Sequence, residues 1–159
     1  MIGQSSVNDT KVLTNQIELL IDSADINKDE IVGFIIQQLW ERDSIYIEYS
    51  VNSEIEKASH RSDICDVSYQ YHKEVITKYY NIAVSLANEK QKSLIVQTHN
   101  AWVEYEDIRE KESYEAYANL NGFYDNAISD YYTNHKPLLI NRIHQLLSVI
   151  KWLSLNQNK

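Results

Sequence analysis

Breakers and staples are scarce in this chain: one proline, three glycines and one cysteine among 159 residues. So few turn formers argue against a sheet, which would need a tight turn between each pair of strands, and favour long helices. Cys65 stands alone, so an intramolecular disulfide is excluded and cysteine usage leaves the compartment unmarked. No apolar run is long enough to cross a bilayer. "MIGQSSVND" lacks the charged and apolar regions of a signal peptide. Met1 is nevertheless the only methionine, and the start is polar and rich in Ser and Asn. The expectation is a mature exported chain, periplasmic or secreted, carrying an added initiator Met. Also missing are a glycine-rich phosphate loop, a nucleophile elbow and a paired-cysteine metal motif.

What is present is helical periodicity. Hydrophobic residues make up 43% and charged residues 24%, an ordinary globular balance in a chain the size of one domain. Residues 1–9 read as a flexible start. Val12, Leu13, Ile17, Leu20 and Ile21 share a helix face, and a second helix begins near Asp29 with Ile31, Phe34, Ile35, Leu39 and Trp40 inward. Gly33 weakens that helix without ending it. In "DSIYIEYSVN" the apolar residues alternate, as in a strand, but no partner strand is evident, so the helix is expected to continue to about Val51. Ser62 is a candidate N-cap for a helix with Ile64, Val67, Tyr71, Val75, Tyr79, Ile82 and Leu86 inside. A long helix follows from about Lys90 to Ala118, ended near Gly122, and a short one is expected over Phe123 to Tyr132. Pro137 sits in the first turn of a last helix whose inner side is Ile140, Ile143, Leu146, Leu147 and Ile150. The architecture predicted is an all-α, single-domain bundle of four to six helices, with N-terminal helices over 10–58 and a second helical region over 59–156.

Several chemistries can be tested against the residues. Asp25, Asn27 and Asp29 occupy positions one, three and five of a calcium-loop spacing. Position six is Glu30 where the turn needs Gly, and position twelve is Ile36 where the shell needs a bidentate Glu. The stretch reads as a helix junction capped by Asp25 or Asp29, with Glu30 in the first turn. His60, Cys65 and His72 do not have zinc spacing, and His99, Glu106 and Glu110 merely share a helix face. No cofactor or metal is expected. The carboxylates Glu104, Glu106, Asp107, Glu110 and Glu112 crowd one helix segment beside Arg109 and Lys111. They read as a solvated face rather than an acid/base pair across a cleft, so no enzyme is expected.

Charge is unevenly spread. The net is −8, with eight acidic and two basic residues from Ala101 to Asp130, then four basic and no acidic ones from Tyr131 to Lys159. This balance disfavours nucleic-acid binding, which needs phosphate neutralisation, and suits a basic protein partner. Twelve tyrosines, with Tyr114, Tyr117, Tyr124, Tyr131 and Tyr132 in or just after the acidic stretch, supply aromatic anchors for such a surface.

At "LIVQTHNAWVEYEDIRE" the sequence resembles the LprI-type lysozyme inhibitor family, small helical proteins of the bacterial envelope. Ala101 and Trp102, the aromatic Tyr105 and Asp107 match its signature, and Arg142 and Leu146 of "LLINRIHQLL" match its closing helix. Cys65 and "VITKYY" are similar to its upstream Cys segment, so the likeness spans about residues 60–148. His99 stands where the family has Gln, Glu106 where it has Arg, and Glu110 where it has Cys. The disulfide bracing would therefore be replaced by packing. The resemblance implies inhibition of a lysozyme-like, cell-wall-degrading enzyme; occlusion of its active site by acidic and aromatic side chains is the expected mechanism, with Glu104, Glu106, Asp107, Glu110, Glu112 and Tyr114 as candidate contacts. Two alternatives accompany it. One is an immunity protein neutralising a secreted peptidoglycan-degrading toxin. The other, of a different class, is a metal- or ligand-binding envelope module using residues 25–36 or the His99 face.

Overall fold

A computed structural model describes residues 12, 15, 27–56, 62–117 and 128–156. Among them are four long helices and no strand: α1 (Lys28–Ile55), α2 (Ser62–Leu86), α3 (Glu89–Tyr117) and α4 (Lys136–Asn156). Of the expected helix over 10–23 only residues 12 and 15 are described, and the helix end near Gly122 and the first half of the short helix over 123–132 lie outside the described residues. The helical-bundle expectation holds.

α1 starts at Asn27, whose side-chain oxygen accepts the Asp29 N–H at 3.1 Å. The expected cap was Asp25 or Asp29. Asp25 is outside the described residues, and Asp29 lies within the first turn with its carboxylate 3.1 Å from Lys151 Nζ on α4. An asparagine one residue ahead of the helix satisfies an orphan backbone donor without a second charge. Gly33 does not interrupt the helix, which runs through the alternating stretch to Ile55. Helical geometry buries Ile47 there and leaves Ile45 and Tyr49 exposed. The inner stripe uses Ile31, Val32, Ile35 and Ile36, while Phe34 is 62% exposed. Phe34 is two residues from both Val32 and Ile36, which puts it on the opposite side of a helix turning about 100° per residue.

The buried faces of α1, α2 and α4 make one core. α2 gives Val75, Ile76, Tyr79, Ile82 and Ala83, and α4 gives Leu139, Ile143, Leu146, Leu147, Ile150 and Leu153. α4 packs along α2, and α1 lies against both. A polar tie crosses this core: the buried Tyr79 hydroxyl donates to Asp43 at 2.7 Å, and Lys78 Nζ reaches the same carboxylate at 2.9 Å. It joins α1 to α2 at a point where an unpaired carboxylate would be costly to bury.

Two local devices set the remaining helices. α3 begins with a reciprocal cap, in which the Gln91 N–H donates to Asn88 Oδ1 at 3.0 Å and the Asn88 N–H to Gln91 Oε1 at 2.9 Å. α4 is entered through a π turn, Tyr131–His135, closed by the Lys136 N–H on the Tyr131 carbonyl. Pro137 has no N–H, and its ring would crowd the carbonyl four residues back. The widened turn immediately before it accommodates both defects without breaking the helix.

Candidate partner-binding face

α3 turns two charged residues, Glu106 and Arg109, inward and two large aliphatics, Leu94 and Ile108, outward. Among its described residues none is a fully buried hydrophobic of the core, and Ile95 and Trp102 are half-buried against it. The two buried residues among those described are Glu106 and Arg109. Ile95, His99, Trp102, Glu106, Arg109 and Ser113 succeed one another at steps of three and four, so they share the face turned to the rest of the protein. On the other side Leu94, Tyr105 and Ile108 are each more than half exposed.

The inward face meets polar partners along its whole length. His99 stacks on Tyr80 with ring centroids 4.0 Å apart, and its Nδ1 lies 3.5 Å from an Arg142 guanidinium nitrogen. Burial and the Arg142 charge hold the His99 pKa down to about 4. The ring is therefore neutral near pH 7, and Nδ1 can accept from Arg142. The same guanidinium sits 5.7 Å from the Trp102 ring centre. The two sequence stretches that carry the family resemblance are thus in contact through Arg142. Further along, His135 Nε2 donates to Glu106 Oε2 at 2.6 Å. Arg109 is 3.7 Å from Asp130, which also accepts from Ser113 at 3.0 Å and Asn134 at 2.8 Å.

The sequence-derived contacts divide accordingly. Glu104, Asp107, Glu110 and Glu112 are exposed, together with Glu115 and one cation, Lys111. Glu106 is 2% exposed and does not reach the solvent face on which it was placed. Its offset of four from Trp102 puts it in line with the inner stripe. Tyr114 lies within α3, but its side chain is outside the described residues. Asp107, Glu110, Lys111 and Glu115 line a shallow cavity of about 330 Å³. Such an acidic recess can receive a lysine or arginine side chain.

The alternative sites look different in three dimensions. His99, Glu106 and Glu110 go to an aromatic stack, a buried hydrogen bond and solvent respectively, and no group of three metal-ligating residues occurs among the described residues. A second cavity of about 400 Å³ lies between α1, α2 and the π turn, with Trp40, Ile47, Ser68, His72, Tyr132 and Lys136 among its lining. His72 Nδ1 is 2.7 Å from the Ser68 carbonyl, which can only accept, so that nitrogen carries the proton. Burial lowers the His72 pKa and keeps the ring neutral. Tyr131 donates to Ser68 Oγ at 2.8 Å behind it. Burial of Cys65 nearby pushes its thiol up to about 11, away from a reactive thiolate.

Comparison of the chain with protein-family models, curated proteins and solved structures finds no match.

Proposed function

We propose that this chain is a protein-binding inhibitor of a cell-wall-degrading, lysozyme-like hydrolase, acting outside the cytoplasm. The observation that carries the reading is the outer surface of α3, where Asp107, Glu110 and Glu115 with Lys111 line a recess large enough for a basic side chain, and Glu104 and Glu112 are exposed on the same helix. Enzymes that cleave an anionic wall polymer favour positive charge around the cleft, and an acidic ridge is complementary to it. α3 runs about 43 Å at 1.5 Å per residue, long enough to lie across a cleft. Inhibition would be occlusion: Glu104, Asp107 and Glu110 meet the basic rim, and substrate is kept out without any bond being made or broken. The likeness to LprI-type inhibitors supports the same reading, as does the contact of Trp102 with Arg142, since both belong to the stretches that carry it.

A cell-wall clearing assay with c-, g- and i-type lysozymes, each with and without this chain, tests the proposal alongside a direct titration. Inhibition that weakens as salt rises is expected, because exposed charges are screened. Silence against all three sets lysozymes aside and moves the test to a secreted peptidoglycan-degrading toxin, the immunity-protein form of the same reading.

A further inference from the structure

The outward apolar residues of α3 are not scattered. Leu94, Thr98, Ala101, Tyr105 and Ile108 follow one another at steps of four, three, four and three, and all five are exposed. Leu94, Tyr105 and Ile108 are 57%, 52% and 58% exposed. That spacing is the seam of a helix that pairs with another helix. The seam is about 21 Å long and lies beside the acidic recess rather than in it. A helix that turns Glu106 and Arg109 inward and an aliphatic seam outward has the polarity of a subunit-interface helix, with its apolar partner still to come.

We propose that the seam is the interface of a symmetric homodimer in which α3 packs antiparallel against α3 of a second copy of this chain. Charge selects both the occupant and the direction. The start of α3 carries Lys90 and Lys92, and its second half carries the exposed Glu104, Asp107, Glu110, Glu112 and Glu115. A parallel pair would set one acidic half beside the other. An antiparallel pair sets Lys90, four residues before Leu94, alongside the second copy's Glu112, four residues after Ile108, twice over by symmetry. The apolar register agrees with this. The small Thr98 and Ala101 fall near the two-fold axis, where backbones approach most closely, and Leu94 of each copy reaches the Tyr105 to Ile108 end of the other. Asp107 and Glu110 remain at the flank, so the dimer displays two acidic recesses. The inference does not depend on the identity of the hydrolase.

The test is the mass of the full chain in solution by light scattering or sedimentation. A species of twice the 18.6 kDa chain mass is expected, reverting to a single chain in Leu94→Glu and in Ile108→Lys. Both positions are exposed, so the circular-dichroism melt of the dissociated chain should remain cooperative. Lys90→Glu should weaken association at least tenfold, and Glu112→Lys added to it should restore most of the loss. Direction is read by cysteine linking in a Cys65→Ser background. Ala101→Cys should oxidise to a linked dimer. Leu94→Cys and Ile108→Cys should each stay unlinked alone and link when mixed. A single 18.6 kDa species at concentrations on the order of 100 µM overturns the proposal. So does self-linking of Leu94→Cys, which only a parallel pair allows. Hydrolase inhibition by a strictly monomeric chain would overturn the dimer and leave the inhibitor reading standing.

Discussion

Glu106 and His135 are 29 residues apart in sequence and 2.6 Å apart in space, and their hydrogen bond is the closest polar tie between α3 and the turn that leads into α4. Glu106 Oε1, its other oxygen, is buried without a hydrogen-bond partner among the described residues. The carboxylate therefore depends heavily on His135. His135→Ala removes that partner and leaves a buried acid uncompensated, at a cost of about 3 kcal/mol. Glu106→Gln keeps shape and one hydrogen bond while removing the charge, and should cost about 1 kcal/mol. Urea unfolding checks both, with the larger midpoint shift expected for the histidine variant and no change in slope.

Acid should weaken the fold through a second histidine. His99 has its pKa held to about 4 by burial and by Arg142, whereas in the unfolded chain it titrates at about 6.5. Between those values the unfolded chain binds a proton that the folded chain refuses. The stability due to this group is thus complete above about pH 6.5 and is lost as pH falls toward 4, amounting to about 3 kcal/mol over the window. His72 is shifted in the same direction by burial and adds to the slope. Urea midpoints at several pH values between 4 and 7 should fall with pH, and His99→Gln should flatten the slope without abolishing it. An unchanged slope in that variant would remove His99 from the account.

Gly33 is a position where the sequence can be improved. It lies within α1, and a Cβ added there would meet Lys151 Nζ at 3.5 Å, an ordinary contact with the end of a flexible chain. Gly33→Ala should therefore act mainly by restricting the unfolded state and favouring the helix, adding about 0.5 to 1 kcal/mol. A rise of a few degrees in Tm is the expected reading. A fall would mean that the Lys151 ion pair with Asp29 had been displaced, which Lys151→Ala in the same background would reveal.

The core of this fold was legible because its residues repeat. Val75, Tyr79, Ile82, Ile143, Leu146 and Ile150 sit where helical spacing puts them, and even the alternating stretch at 45–51 could be resolved by asking where a partner strand would be. Phe34 is as apolar as its neighbours, and only the phase of the helix, set by Val32 and Ile36, turns it outward. The candidate site was half legible. The acidic run on α3 is plain in the sequence, but it is not one surface: the step of four from Trp102 to Glu106 and of three to Arg109 assigns both to the inner face. Their partners His135 and Asp130, from a distant segment, are set by tertiary packing and leave no local signal.

That division of the acidic run gives the sharpest test of the binding proposal. Asp107 and Glu110 line the outer recess and are exposed, so the double change Asp107→Lys and Glu110→Lys should leave the melting curve almost unaltered, since exposed substitutions rarely exceed about 0.5 kcal/mol. It should nevertheless weaken binding to a basic hydrolase by at least tenfold and reduce the dependence of binding on salt. Glu106→Gln should do the reverse, lowering stability while leaving the affinity of the folded protein near its starting value, because that carboxylate faces His135 and not the partner. Titration at two ionic strengths, paired with a thermal melt of each variant, separates the two effects. Should Glu106→Gln abolish binding while the double reversal does not, the contact surface would have to be moved from the outer side of α3 to its inner side, where Glu106 meets the π turn.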